Sequence, residues 1–122
     1  MEKICLDLEA AVDFLRGEAA TIEKIRYYAD REEICISGFT FMHLLQIVSK
    51  TEAVTAFANS VTVLPFCKRS AQIAASIFKE LGDDGLKRSD SVLTAAICMA
   101  NDAFLFSKTS AKFDGIKGLR KV

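Results

Sequence analysis

Four short apolar runs recur along the chain, at residues 3–8, 34–37, 61–64 and 103–106, and the stretches between them carry apolar residues at three- and four-residue spacing. A strand buried on both faces reads as a continuous apolar run, whereas a helix lying on a sheet shows one apolar stripe. Strands separated by helices run parallel, because a parallel pair needs a crossover and a helix is the usual one. The pattern therefore predicts an α/β fold, a three-layer α/β/α sandwich with a mainly parallel sheet of four to five strands. The fifth strand would be residues 119–122.

Local signals place the helices. One runs from Glu9 to near Gly17, a second from about Ala20 with Ile22, Ile25 and Tyr28 inward, and a third to Ser49 with Thr40 as its N-cap. A short helix follows Thr51, Pro65 closes the third strand, and residues 70–81 form another helix. Residues 82–85 (GDDG) read as a loop, after which Ser89 or Asp90 caps a helix through Ala100. Phe39, Phe41 and Met42 exceed what one face of the third helix buries, which suggests that some of them form a subunit contact.

Composition narrows the function. The chain has 122 residues, enough for one domain over 1–122, and its 16 Lys and Arg balance 16 Asp and Glu. At 51% hydrophobic residues and zero net charge it is not a disordered chain, nor one that binds nucleic acid by bulk charge, so any RNA contact must be local. Its four cysteines, Cys5, Cys35, Cys67 and Cys98, form no C-x-x-C pair and have one histidine in the whole chain for company, which argues against zinc. Cys5, Cys35 and Cys98 sit among apolar neighbours and read as buried free thiols of a reducing compartment. The N-terminal residues turn acidic at once, unlike a signal peptide, and the apolar stretch 92–100 is shorter than the roughly 20 residues a membrane helix needs. A cytoplasmic protein with no membrane partner is expected.

In open parallel sheets, sites form at the carboxyl ends of the strands. Asp7 and the turn at 107–109 both fall there, and the helix starts near Thr40 and Ser89 converge on the same edge. Asp7 could equally cap the helix that follows, and Glu9, at that helix start, reads first as a capping residue. Asp83 and Asp84 are ordinary turn residues in a solvated loop.

Five segments in order resemble PIN-domain proteins of the VapC toxin type. Ile4-Cys-Leu-Asp7 with Val12-Asp-Phe-Leu-Arg-Gly17 resembles the family's L-D-T-N-x-L-I-D-x-L-R-G, and residues 36–45 (ISGFTFMHLL) resemble I-S-x-I-T-x-x-E-L-L. Residues 61–66 (VTVLPF) match the central V-L-P strand, residues 95–101 (AAICMAN) the A-A-x-A-L-A-N segment, and Leu105-Phe-Ser107 with residues 113–119 (FDGIKGL) the L-V-T and F-x-x-I-x-G-L segments. The resemblance implies the same α/β architecture and, for active relatives, a magnesium- or manganese-dependent endoribonuclease that works as a homodimer and binds an antitoxin. Such chemistry needs several carboxylates in one pocket, because hard divalent cations take oxygen ligands and the bound metal orients water against a phosphate.

This chain departs from that pattern at the acids. Asp7 matches the first acidic position and is the one metal-ligand candidate, but His43 stands at the second, Ser91 at the third with Asp90 one residue before it, and Thr109 at the fourth. One residue is about 100° of helix rotation, so Asp90 reaches the pocket only from a distorted first turn. Hydroxyls do not replace ionised ligands, and imidazole binds transition metals well but magnesium poorly. Two functions follow from the resemblance. One is an impaired nuclease that binds RNA, through Ser107, Lys108 and the neighbouring basic residues, or binds an antitoxin-like protein without any cofactor. The other is an active Mg- or Mn-dependent endoribonuclease whose catalytic residues are Asp7 and Asp90, with Glu9 or His43 in support.

Overall fold

Residues 3–6 form a strand that both flanking strands claim, and Ile4, Cys5 and Leu6 are buried in it behind the half-buried Lys3 at its start. In the computed structural model, which describes residues 1–122, the order is β1 (Lys3–Leu6), α1 (Leu8–Leu15), α2 (Ala19–Ala29), β2 (Glu33–Ser37), α3 (Gly38–Ile47), α4 (Thr51–Ser60), β3 (Thr62–Leu64), α5 (Lys68–Leu81), α6 (Asp83–Lys87), α7 (Ser89–Ala100) and β4 (Ala103–Phe106), then a 3-10 turn (Ser110–Phe113). The sheet is wholly parallel in the order β3-β2-β1-β4. Cys5 lies level with Cys35 on one side and Leu105 on the other, and Leu6 level with Ile36 and Phe106.

Alternation along the strands divides the core. Cys5, Cys35, Leu64 and Leu105 point to one face and pack with Ala74 and Ile77 of α5 and Val92, Ala95 and Ala96 of α7. Ile4, Leu6, Ile36 and Phe106 point to the other, against Ala10, Ala11 and Val12 of α1, Ile25 of α2, Leu44 of α3 and Val54 and Phe57 of α4. The three layers expected from the sequence are therefore present. Every buried side-chain polar atom has a hydrogen-bond partner, and no helix is long and apolar enough to cross a membrane.

Several boundaries differ from the sequence reading, each for a local reason. The first strand stops at Leu6, because Asp7 turns out of the sheet to cap α1 with its carboxylate on the Ala10 N–H (2.9 Å). The third helix starts at Gly38 and ends at Ile47, and its cap is Ser37, whose hydroxyl accepts from Thr40 N (3.0 Å); Thr40 is the recipient of the cap. Residues 82–85 do not form a loop: Gly82, at φ 60°, breaks α5 and the chain re-enters a short helix at Asp83. Neither Ser89 nor Asp90 caps the long helix, which follows directly on Arg88 with no side-chain cap. The fifth strand reduces to one parallel bridge, in which Leu105 donates to Arg120 O (2.8 Å) and accepts from Val122 N (2.9 Å).

Of the apolar residues at the start of α3, Phe39 stacks edge-on with Phe66 at 5.4 Å and Phe41 packs on the Leu6 face, while Met42 is exposed. Leu45 and Ile47 of the same helix are exposed with it. Cys5, Cys35 and Cys98 are buried free thiols as expected, and Cys67 is an exposed one. Cys98 beside it and burial together hold the Cys5 thiol well above its ordinary range, and burial pushes Cys35 up to about 12. At Cys67, by contrast, the Ser70 hydroxyl lowers the thiol.

Two outcomes follow from this packing. Brief alkylation of the native protein, read by peptide mass spectrometry, should label Cys67 and leave the other three thiols until the chain is unfolded. Leu105→Ala, at a fully buried position shared by β4 and α7, should cost about 2–5 kcal/mol in chemical denaturation.

Candidate functional site

The crevice of a parallel sheet opens where successive connections leave in opposite directions. Here β1 passes to β2 on one side while β4 returns to its other side, so that point lies between the ends of β1 and β4. Asp7 follows β1 and Ser107 follows β4, and Asp7 N donates to Phe106 O at 3.1 Å. The residues singled out from the sequence at these two ends are thus neighbours.

Asp7 is almost fully buried, at 5% exposure. Burial raises its carboxyl above the ordinary 3.8, against the lowering pull of the Ser107 hydroxyl and the Ala10 N–H. Glu9, in the first turn of α1, does not cap the helix. Its Oε2 accepts from the Thr109 hydroxyl (2.7 Å) and its Oε1 from Lys112 Nζ (2.5 Å), an arrangement that lowers its pKa from 4.5, with Lys112 the largest cause. Lys108 is turned away to Asp13 Oδ2 (2.5 Å), and Ser107 Oγ accepts from Thr109 N (3.1 Å). Two ion pairs and two hydrogen bonds therefore fasten the turn after β4, to itself and to α1.

The other candidates gather on a second rim. His43 of α3 faces Asp90 of α7, with Nε2 and Oδ2 3.9 Å apart, and the Asp90 side chain is 79% exposed. Ser91 is half-buried beside it in the chain. The side chains His43, Asp90, Asp7 and Glu9 do not come together as a metal-binding group: no set of three or more His, Cys, Asp or Glu side chains has that arrangement. With a hydroxyl at 91, a hydroxyl at 109 and an imidazole at 43, the donor set does not suit a hard divalent cation. Asp83 and Asp84 lie apart from it, Asp84 being paired with Arg88 (2.8 Å).

Two open grooves border the crevice. One, ≈ 480 Å³, runs along Leu8, Val12 and Ile47 past the Asp13–Lys108 pair. The other, ≈ 550 Å³, lies between Tyr27 and Tyr28 of α2 and Phe106, Ser107 and Val122, with Ser107 as its link to Asp7. The sequence reading places Lys112 only among basic residues that could guide RNA, and Asp13 only within the first motif; neither is expected from it to pair with an acid or base of this site. Neither departs from a recognisable motif, and their roles appear only when α1 and the 107–113 segment are folded together.

The two acids should titrate in opposite directions. Asp7, raised by burial, weakens the fold as pH climbs from about its ordinary value through the raised one, while the contribution of Glu9 is present above 4.5 and is lost as pH falls through its lowered value. Carboxyl-carbon NMR titration should place Asp7 above 3.8 and Glu9 below 4.5. Asp7→Asn keeps a capping oxygen and removes the buried charge, so its unfolding midpoint at pH 7 should equal or exceed that of the parent, with Asp7→Ala about 1 kcal/mol less stable than Asp7→Asn.

No protein-family model matches the chain, and no curated protein matches it. Solved structures do. The chain is similar to one in the crystal structure of VapBC2 from Rickettsia felis bound to a DNA fragment from their promoter, with a TM-score of 0.86 at 18% identity over 98% of this chain and 97% of that one. It is similar to one in the DNA-bound VapBC structure from Salmonella typhimurium, at 0.82 and 20% over 100% and 98%, and to one in a toxin-antitoxin complex from Klebsiella pneumoniae, at 0.73 and 14% over 98% and 99%. The chain therefore has, along its whole length, the fold found in these VapBC and toxin-antitoxin assemblies, the architecture that its resemblance to VapC-type PIN domains implied.

Proposed function

We propose that this protein is a single PIN-type domain of a toxin-antitoxin system that has lost nuclease chemistry and acts by binding a protein partner of the antitoxin kind in the cytoplasm. The observation that carries this reading is the state of the acids. Asp7 is the only carboxylate at the four positions where the family resemblance places them, and the nearest further acid, Glu9, is already held by Lys112 and Thr109.

A protein partner fits better than RNA. Four basic residues, Lys108, Lys112, Arg88 and Lys117, have acidic partners of their own, Asp13, Glu9, Asp84 and Glu80, which lowers the local positive charge that could attract a phosphate backbone. Apolar surface is available instead. Met42 and Leu45, one turn apart on α3, and Ile47 beside the crevice are 40–50% exposed, and burying such side chains is what association of proteins rests on. The same helix is the surface for a second copy of the chain if the protein is a homodimer. The second reading, an endoribonuclease needing Mg or Mn, draws on the His43–Asp90 pair, which sets two donors 3.9 Å apart on one rim, with Asp7 as the remaining ligand.

One experiment separates them. The purified protein and its Asp7→Asn variant are incubated with total RNA in millimolar magnesium or manganese, and the protein is also co-expressed with the product of the adjacent reading frame. Binding without chemistry predicts identical RNA profiles for the two proteins and a stable complex on size exclusion; cleavage that Asp7→Asn abolishes would establish the nuclease instead. Leu45→Glu should weaken that complex, or the self-association, at least tenfold while leaving the circular dichroism spectrum unchanged.

A further inference from the structure

The crevice already contains a cation, and it belongs to the chain. Lys112 Nζ lies 2.5 Å from Glu9 Oε1, on the carboxylate that also accepts from Thr109. Its charge reaches Asp7 as well: Lys112 pulls the Asp7 carboxyl down, and Asp7 in turn helps to hold the ammonium protonated. The position is not an accident of a long side chain, because the 3-10 turn that carries Lys112 is itself anchored, by Phe113 buried in the α5–α7 core and by Arg88 Nη1 donating to Lys112 O at 3.0 Å.

We propose that Lys112 is a built-in replacement for a divalent cation, a tethered ammonium that pairs with Glu9, offsets part of the negative charge beside Asp7 and ties the segment after β4 to α1, so that the crevice is complete without metal and excludes it. The physical ground is charge and geometry. Two carboxylates at one strand end and helix start repel, and a positive charge paired with one of them, Glu9, from the opposite segment lessens that repulsion. A divalent ion would do the same, but it would have to displace an ammonium that is covalently attached and therefore always present at high effective concentration. Lys112 thus explains why Glu9, two residues from Asp7, is not available as the second ligand that a rebuilt metal site requires.

The proposal rests on the reading of the site as metal-free, and its test lets the two fail separately. Lys112→Met, Lys112→Arg and the Lys112→Met/Asp7→Asn double variant are compared with the parent by manganese-induced broadening of backbone amide signals and by calorimetric titration of manganese chloride. The Lys112 side chain is 52% exposed, so its substitution removes no core packing, and the amide spectrum itself reports whether the fold is kept. The parent and Lys112→Arg, which keeps the charge, should show no localised broadening, whereas Lys112→Met should bind manganese at least tenfold more tightly, with signals of residues 7–10 and 107–110 broadened, and the double variant should lose that gain. If Lys112→Met binds no better than the parent, or if Lys112→Arg gains binding equally, the ammonium is not what keeps metal out and the proposal is overturned while the metal-free reading stands. If the parent itself binds manganese through Asp7, both are overturned. Should Lys112→Met unfold, Lys112→Gln, which retains a hydrogen-bond donor toward Glu9 without the charge, takes its place with the same expectations.

Discussion

The double pairing of β1 is the constraint on which the rest depends. Because this strand is hydrogen-bonded to β2 on one side and β4 on the other, Ile4, Cys5 and Leu6 are buried between the two helical layers, and the first polar residue after them is the one that leaves the sheet. That residue is Asp7. Its carboxylate ends up buried at the crevice because the strand before it is buried, and its bond to the Ala10 N–H is the local compensation for placing a charge there. The same parallel arrangement brings Ser107 alongside it from the opposite half of the chain.

Around this point the chain sets its own ammonium groups against its carboxylates. The segment after β4 carries its own positive charges into the acids of α1, at Asp13 and Glu9, so the edge of the sheet is held by contacts between residues about a hundred positions apart in sequence. Exposed ion pairs of this kind contribute little each, but here they come with the Thr109–Glu9 hydrogen bond and the buried Phe113 behind them. The rigidity of the crevice therefore derives from a short network with an apolar anchor, and not from any one pair.

Much of this was legible in the amino-acid sequence, because strand and helix periodicities are local properties. The runs at residues 34–37 and 103–106 and the helix over 70–81 needed no tertiary information, and the resemblance to VapC-type domains follows the order of the same elements. What escaped was whatever two distant segments decide jointly. Ser37 outcompetes Thr40 as a cap because the turn at Gly38 starts the helix earlier; Gly82 converts an apparent loop into a helix break; and Glu9 abandons the end of its own helix for Thr109 and Lys112, partners that no spacing rule connects to it. Asp90, conspicuous as an acid beside the expected position, is drawn to His43, a pairing that requires α3 and α7 to face each other across the sheet end.

The bridge between Leu105 and the segment around Lys121 has a bearing on the behaviour of the sheet as a surface. A flat outer strand offers an unpaired row of amides and carbonyls on which another chain can grow. On the β4 side, both peptide groups of Leu105 that face outward are already used by Arg120 and Val122, and Arg120 lays its guanidinium over the Phe104 ring at 4.4 Å. On the opposite side the outer strand is three residues long and is followed at once by Pro65, which has no amide hydrogen to offer. With one margin occupied and the other too short to template a neighbour, the sheet is closed to edge-to-edge polymerisation, and whatever this protein assembles with must approach through its helices.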